Sequence, residues 1–195
     1  LELSNETYLG LTAPDFNASP FRRYLGSEKD NMDADYRQLS LRHIMEVGPR
    51  ISVHSVAYRS RFDRNWYKLD MVTTGDGKAG ISSILEHPDE HLGAYQLLTG
   101  RSTSAEDQLW VKANNRSYLS QGISSELTLR SPLSAGEVRL DAGIRLHQDE
   151  MDRFQWVDGY GVQDEHLNLE VRGTPGSESN RIESATAISR SEEHT

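Results

Sequence analysis

Between Tyr36 and Leu69 the chain reads as two strand-like stretches interrupted only at Gly48-Pro49-Arg50. The first stretch places Leu39, Leu41, His43, Met45 and Val47 on one face. Gln38, Ser40, Arg42, Ile44 and Glu46 fall on the other, a period of two with one exception per face. Pro49 supplies a fixed φ where no ladder donor is needed, so a tight turn reverses the chain there. The second stretch runs from Ile51 to Leu69 without a breaker. Strands are ordinarily about 5–6 residues long, and a hairpin roughly three times that length admits few folds. On the rising strand Ile51 and Val53 share one face and Val56 and Tyr58 the other, which predicts a bulge or register change near Ser55.

Composition narrows the choice from the other side. The chain has 195 residues, 35% of them hydrophobic, and a mean hydropathy of -0.67. No run approaches the ~18 apolar residues of a spanning helix. A transmembrane barrel stays open, because its strands are apolar only at alternate positions. The net charge of -9 argues against a nucleic-acid partner, whose phosphates need clustered Lys and Arg. The absence of cysteine removes disulfides, thiolate metal sites and cysteine nucleophiles together.

A second long hairpin follows. Leu119, Gln121, Ile123, Ser125, Leu127 and Leu129 alternate with Tyr118, Ser120, Gly122, Ser124, Glu126, Thr128 and Arg130. After a turn over Ser131–Gly136, Val138, Leu140, Ala142, Ile144 and Leu146 face one way. Glu137, Arg139, Asp141, Arg145 and His147 face the other. Further strands are expected through Phe154 and Trp156, over His166–Val171 and over Ile182–Ile188. Short and long connections alternate along the chain, as the periplasmic turns and extracellular loops of an outer-membrane barrel do. The expected fold is therefore all-β, with five to six antiparallel strands of a large transmembrane barrel and long extracellular loops. A soluble sandwich also has half-apolar strands, but expects turn signals every ~8–12 residues.

Candidate sites lie in the loops and on the polar face. Arg22 and Arg23, between Phe21 and Tyr24, are the candidate ligand-binding residues, because guanidinium forks match carboxylates. Their alternative is pairing with neighbouring Asp and Glu on a solvated loop. Thr74–Gly80 is turn-rich but lacks phosphate-loop spacing. A short helix is expected over Pro88–Thr99, with Leu92, Tyr95 and Leu98 as its apolar stripe. The residues Glu86, His87, Asp89, Glu90 and His91 resemble a metal cluster, yet helix-start chemistry accounts for three of them. Asp30, Asp33 and Asp35 lack the glycine and distal glutamate of a calcium loop. His147 can pair with Asp149 and not with Glu150, since strand neighbours point to opposite faces. No nucleophile motif or metal spacing stands out, so no enzyme, cofactor or metal is expected.

The ends read as those of a piece of a longer protein. Leu1-Glu2-Leu3-Ser4 opens in strand alternation with no Met and no signal peptide. Residues 190–195, Arg190-Ser191-Glu192-Glu193-His194-Thr195, back-translate to AGATCGGAAGAGCACAC, the start of a common sequencing adapter, and are expected to be a non-native tail.

Five phrases, taken in order, resemble one family: Ser4-Asn5-Glu6-Thr7-Tyr8-Leu9-Gly10-Leu11-Thr12, Pro20-Phe21-Arg22-Arg23-Tyr24, Arg64-Asn65-Trp66-Tyr67-Lys68-Leu69, Lys112-Ala113-Asn114-Asn115-Arg116 and Gly173-Thr174-Pro175-Gly176-Ser177. Over residues 1–189 the chain resembles TonB-dependent outer-membrane receptors, particularly those for ferric citrate and ferric siderophores. The resemblance implies a partial receptor barrel over 1–189, from a barrel of about 22 strands with a plugged lumen. It also implies a ferric chelate as ligand, the outer membrane of a Gram-negative bacterium as location, and TonB as partner through a plug and N-terminal segment not represented in this sequence. Other cargoes, such as a corrinoid, a saccharide or another metal complex, fit the same architecture. A soluble all-β binding or adhesin module is the rival reading.

Overall fold

The computed structural model describes residues 2–4, 7, 9–103, 108–134 and 136–194. Its strands, in chain order, are β1 (Glu2–Ser4), β2 (Asn31–Val47), β3 (Ile51–Thr74), β4 (Gly77–Gly80), β5 (Gln108–Leu133), β6 (Gly136–Gln163), β7 (His166–Val171) and β8 (Ser179–His194). Five of them are long, at 17, 24, 26, 28 and 16 residues for β2, β3, β5, β6 and β8. They join in one sheet ordered β1-β2-β3-β5-β6-β7, with β4 on β3 and β8 on β6. The order does not return to its first strand among the described residues.

Both expected hairpins form. At the first turn Gly48 takes a φ of +64°, a left-handed conformation that only glycine enters without a steric penalty. The second turn is tighter than Ser131–Gly136: β5 continues to Leu133 and β6 begins at Gly136. β8 also reaches further than expected and includes Arg190–His194.

Two compact units share the long strands. One comprises residues 1–34, 64–116 and 153–181, and the other residues 35–63, 117–152 and 182–195. The first unit holds every helix among the described residues: α1 (Ala13–Ala18), α2 (Ile81–Glu86), α3 (Leu92–Thr99) and a 3-10 turn at Leu25–Ser27. Its core joins Leu69, Val72, Leu109 and Val111 from the strands to Ile81, Ile84, Leu97 and Leu98 from the helices. Each such side chain contributes about 1.5–3 kcal/mol on burial, enough to order the connecting loops.

The helix prediction was partly wrong. Residues 88–91 form turns, in which Glu90 and His91 N–H both donate to the His87 carbonyl at 3.1 and 3.2 Å, and α3 starts only at Leu92. Its buried face is Ala94, Leu97 and Leu98, while Leu92 is exposed. Of the expected stripe, Leu98 is buried and Tyr95 packs against the core, and Leu92 at the first helical position lies outside it. The helix ends at Gly100, whose φ of +78° closes the last turn.

The second unit is built differently. Its described residues lie in strands and two tight turns, so it has no second layer. One register holds across β3 and β5. Arg130 N–H donates to the Arg50 carbonyl at 2.8 Å, Ser55 Oγ meets Ser125 Oγ at 2.9 Å, and Phe62 stacks on Tyr118. Each step forward on β3 matches one step back on β5, so the irregularity expected near Ser55 is absent. Val56 and Tyr58 simply sit on the polar face.

Side-chain pairs fix which residues share a face. Tyr36 packs on Phe62, Ser55 meets Ser125, and Gln121 Nε2 donates to Gln148 Oε1 at 2.9 Å. Strand alternation then collects Leu39, Leu41, Met45, Val47, Ile51, Ile123, Leu133, Val138, Ile144 and Leu146 on one side. All of these are exposed, Leu39 and Leu41 by 75% and 70%. Arg42, His54, Tyr58, Ser124, Glu126, Asp141, Arg145 and His147 occupy the opposite side. Among the described residues this unit buries no hydrophobic side chain.

Candidate functional site

The loop carrying Arg22 and Arg23 is ordered by a buried carboxylate. Thr12 caps α1, its Oγ1 accepting the Asp15 N–H at 3.4 Å, which leaves the Asp15 side chain turned inward and 7% exposed. It accepts hydrogen bonds from the Tyr95 hydroxyl and, at 2.8 Å, from the Tyr24 hydroxyl. Arg22 Nη1 reaches it at 2.9 Å and Arg101 Nη2 at 3.6 Å. The Tyr95 hydrogen bond, helped by Tyr24 and both arginines and opposed by burial, holds its pKa below the ordinary aspartate value. Burial pushes the Tyr24 phenol up to about 12.

Arg22 therefore spends part of its fork on Asp15. Arg23 takes a different course, its Nη2 donating to the Ser27 carbonyl at 3.4 Å. It lines a cleft of about 460 Å³ with Glu28, Asp30, Glu165 and His166. The two arginines do not converge on one point, and carboxylates surround both. Glu28 accepts the Leu167 N–H at 2.7 Å and pairs with Lys29 at 2.9 Å. Asp30, 2% exposed, accepts from Thr7 Oγ1 at 2.6 Å and from Leu69 N–H at 2.9 Å. Burial raises its pKa.

The metal-like clusters are not assembled. His91 Nε2 is bonded to Ser83 Oγ at 2.8 Å, and no group of three His, Cys, Asp or Glu side chains among the described residues could hold an ion.

The polar face of the second unit carries the most connected set of side chains. His147 Nε2 bonds Asp149 Oδ2 at 2.7 Å, as strand parity required. Its Nδ1 lies 2.5 Å from the Tyr58 hydroxyl. Arg145 Nη2 donates to the same hydroxyl at 2.7 Å. The Tyr58 hydroxyl accepts from Arg145 and so gives its proton to Nδ1, leaving Nε2–H to donate to Asp149. Tyr58 reaches from β3 to β6 over Gly122 of β5. A Cβ at Gly122 would lie 2.6 Å from that hydroxyl and 2.5 Å from the Leu146 carbonyl. The sequence marks the His147–Asp149 pair but gives no sign of Tyr58, which depends on a register set by two strand pairings.

Three arginines of this unit pair with a carboxylate two residues away on their own face. Arg37 pairs with Asp35, Arg61 with Asp63 and Arg139 with Asp141, at 2.5, 2.8 and 2.7 Å. Arg42 and Arg145 do not. Their i±2 neighbours are Ser40, Ile44, Gly143 and His147.

No protein-family model, curated protein or solved structure matches this chain.

Proposed function

We propose that this chain is part of a TonB-dependent outer-membrane receptor that binds and imports a ferric chelate. The observation that carries the membrane reading is the second unit: among its described residues, one layer of long strands, apolar on one face, polar on the other, with none of them covering the apolar side. In water that face would be a large aggregation-prone patch. Against lipid it is the expected outer surface of a barrel, with the polar residues facing a wet interior. A transmembrane strand needs about 9–11 residues, and β2, β3, β5, β6 and β8 all exceed this.

The barrel reading supplies the strands that would close the sheet, since an open edge has unpaired N–H and C=O groups that lipid cannot satisfy. The receptor class and its ferric cargo rest on the ordered sequence phrases, with Arg22 and Arg23 as candidate contacts for an anionic chelate. In that assignment the Arg22 fork is shared with Asp15. Affinity unchanged on replacing both arginines with Ala would refute the assignment. TonB would act through a plug and N-terminal segment.

A soluble all-β binding module is favoured by one observation, the ordinary buried core of the first unit. This chain has no cysteine, so cysteines introduced into it can separate the two readings. Single cysteines at Leu41, Ile123 and Leu146, spin-labelled in the full protein reconstituted in bilayers, are expected to be accessible to oxygen dissolved in lipid. Labels at Arg42, Ser124 and His147 are expected to favour a water-soluble quencher. Equal aqueous accessibility on both faces would replace the membrane reading by the soluble one.

A further inference from the structure

We infer that the polar face of the second unit carries a binding site for a compact polyanion, a small molecule with two or more carboxylate or phosphate groups, held by Arg42 and Arg145. A cavity of about 530 Å³ is lined by Arg42, His54, Ser124, Ser125, Gly143 and Arg145. Its two arginines lack the same-strand carboxylate partner that Arg37, Arg61 and Arg139 have. Among the described residues, no carboxylate forms an ion pair with either.

Arg145 is held in place by neutral groups. Tyr58 accepts one of its N–H bonds and lies beneath it, the guanidinium carbon 5.5 Å from the ring centroid. Tyr58 is itself fixed by His147, and His147 by Asp149. The chain of bonds orients the guanidinium without cancelling its charge, leaving N–H groups for a ligand oxygen. Ser124 of β5 lies on the same face between the two arginine-bearing strands and adds a hydroxyl donor.

The carboxylate bordering this cavity is Glu126, which also borders the neighbouring one lined by Arg130 and Arg139. Ser189, Arg190 and Ser191 of β8 line the cavity too, but 190–195 is the stretch expected to be a non-native tail, and the assignment uses none of the three. Two cations bordered by one carboxylate favour a ligand that brings at least two negative groups, because a single one would leave a cation unmatched.

The test is calorimetric titration of the full protein in detergent with citrate and, separately, with inorganic pyrophosphate. At least one probe is expected to bind, and the better one identifies the anion class. Loss of one charge-assisted bond predicts about 10- to 100-fold weaker binding in Arg42→Gln and in Arg145→Gln. Affinity is expected to fall as salt rises from about 50 to 300 mM. Arg139→Gln, which breaks a paired arginine on the same face, is expected to bind as wild type. Tyr58→Phe keeps the ring above Gly122 but frees Arg145, and is expected to weaken binding. It decides the matter if an arginine variant fails to show the wild-type circular dichroism. No binding of either probe to the folded wild type, or undiminished affinity in the folded variants, would overturn the inference. Neither result depends on import or iron, so the receptor reading stands or falls separately.

Discussion

The carboxylate of Asp30 accepts the backbone N–H of Leu69 at 2.9 Å, tying the end of the arginine-bearing loop to a core position 39 residues later. Because burial raises the Asp30 pKa, its contribution to stability is fully present below the unfolded-state value of about 4 and is lost as pH rises through the folded value. Asp30→Asn keeps an acceptor for Leu69 N–H without the buried charge. Its unfolding midpoint in urea is expected to lose the Asp30-dependent fall between acid and neutral pH seen in wild type.

Asp15 works in the opposite sense. Its pKa is held down, so its stabilisation is present above about pH 4 and is lost as pH falls through the lower folded value. Asp15→Asn is expected to lower the urea midpoint at pH 7 and to flatten the acid-side loss. An unchanged acid limb would show that Tyr24, Tyr95 and Arg22 hold α1 without the charge.

Gly26 lies against the core, where a Cβ would come 2.5 Å from Leu98 Cδ1 and 2.9 Å from Leu69 Cδ2. Both leucines are fully buried, so they have little room to yield. Gly26→Ala is expected to cost about 1–3 kcal/mol, the usual range for overpacking, as read by denaturant unfolding.

Ser40 and Leu41 are sequence neighbours on opposite faces of β2. If Leu41 meets lipid, Leu41→Arg is expected to lower the folded fraction in bilayers by about 2–4 kcal/mol near the midplane, while Ser40→Arg is tolerated. The comparison is made by refolding both variants into vesicles and scoring membrane-protected protein. Equal behaviour would count against a lipid-facing side.

Alternation made the two hairpins legible because every second residue of β2, β5 and β6 reports the same surface. It was less reliable where local and long-range signals mix. Thr12-Ala13-Pro14-Asp15 carries an N-cap, an early proline and a first-turn acid, yet α1 was hidden among breakers because it is only six residues long. α2 follows Gly80, which offers no side-chain cap, and so left no local mark. The bulge expected near Ser55 arose from reading Val56 and Tyr58 as members of the apolar face. Tyr58 is instead an aromatic with polar work to do, and its bond to His147 joins residues 89 positions apart. Arg42 and Arg145 were visible as letters, but the cavity they share emerges only once four strands are in register.

Tyr58 and Gly122 also bear on how the strands find their alignment. Alternation has a period of two, so a slip of two residues between β3 and β5 would keep every apolar side chain on its own face. Hydrophobicity cannot detect that error. Gly122 is the only glycine in β5, and the Tyr58 ring crosses the strand where it sits. Shifted by two either way, the ring would meet Ser120 or Ser124. A single missing side chain thus acts as an index mark, selecting one alignment from a series that the rest of the pattern treats as equivalent.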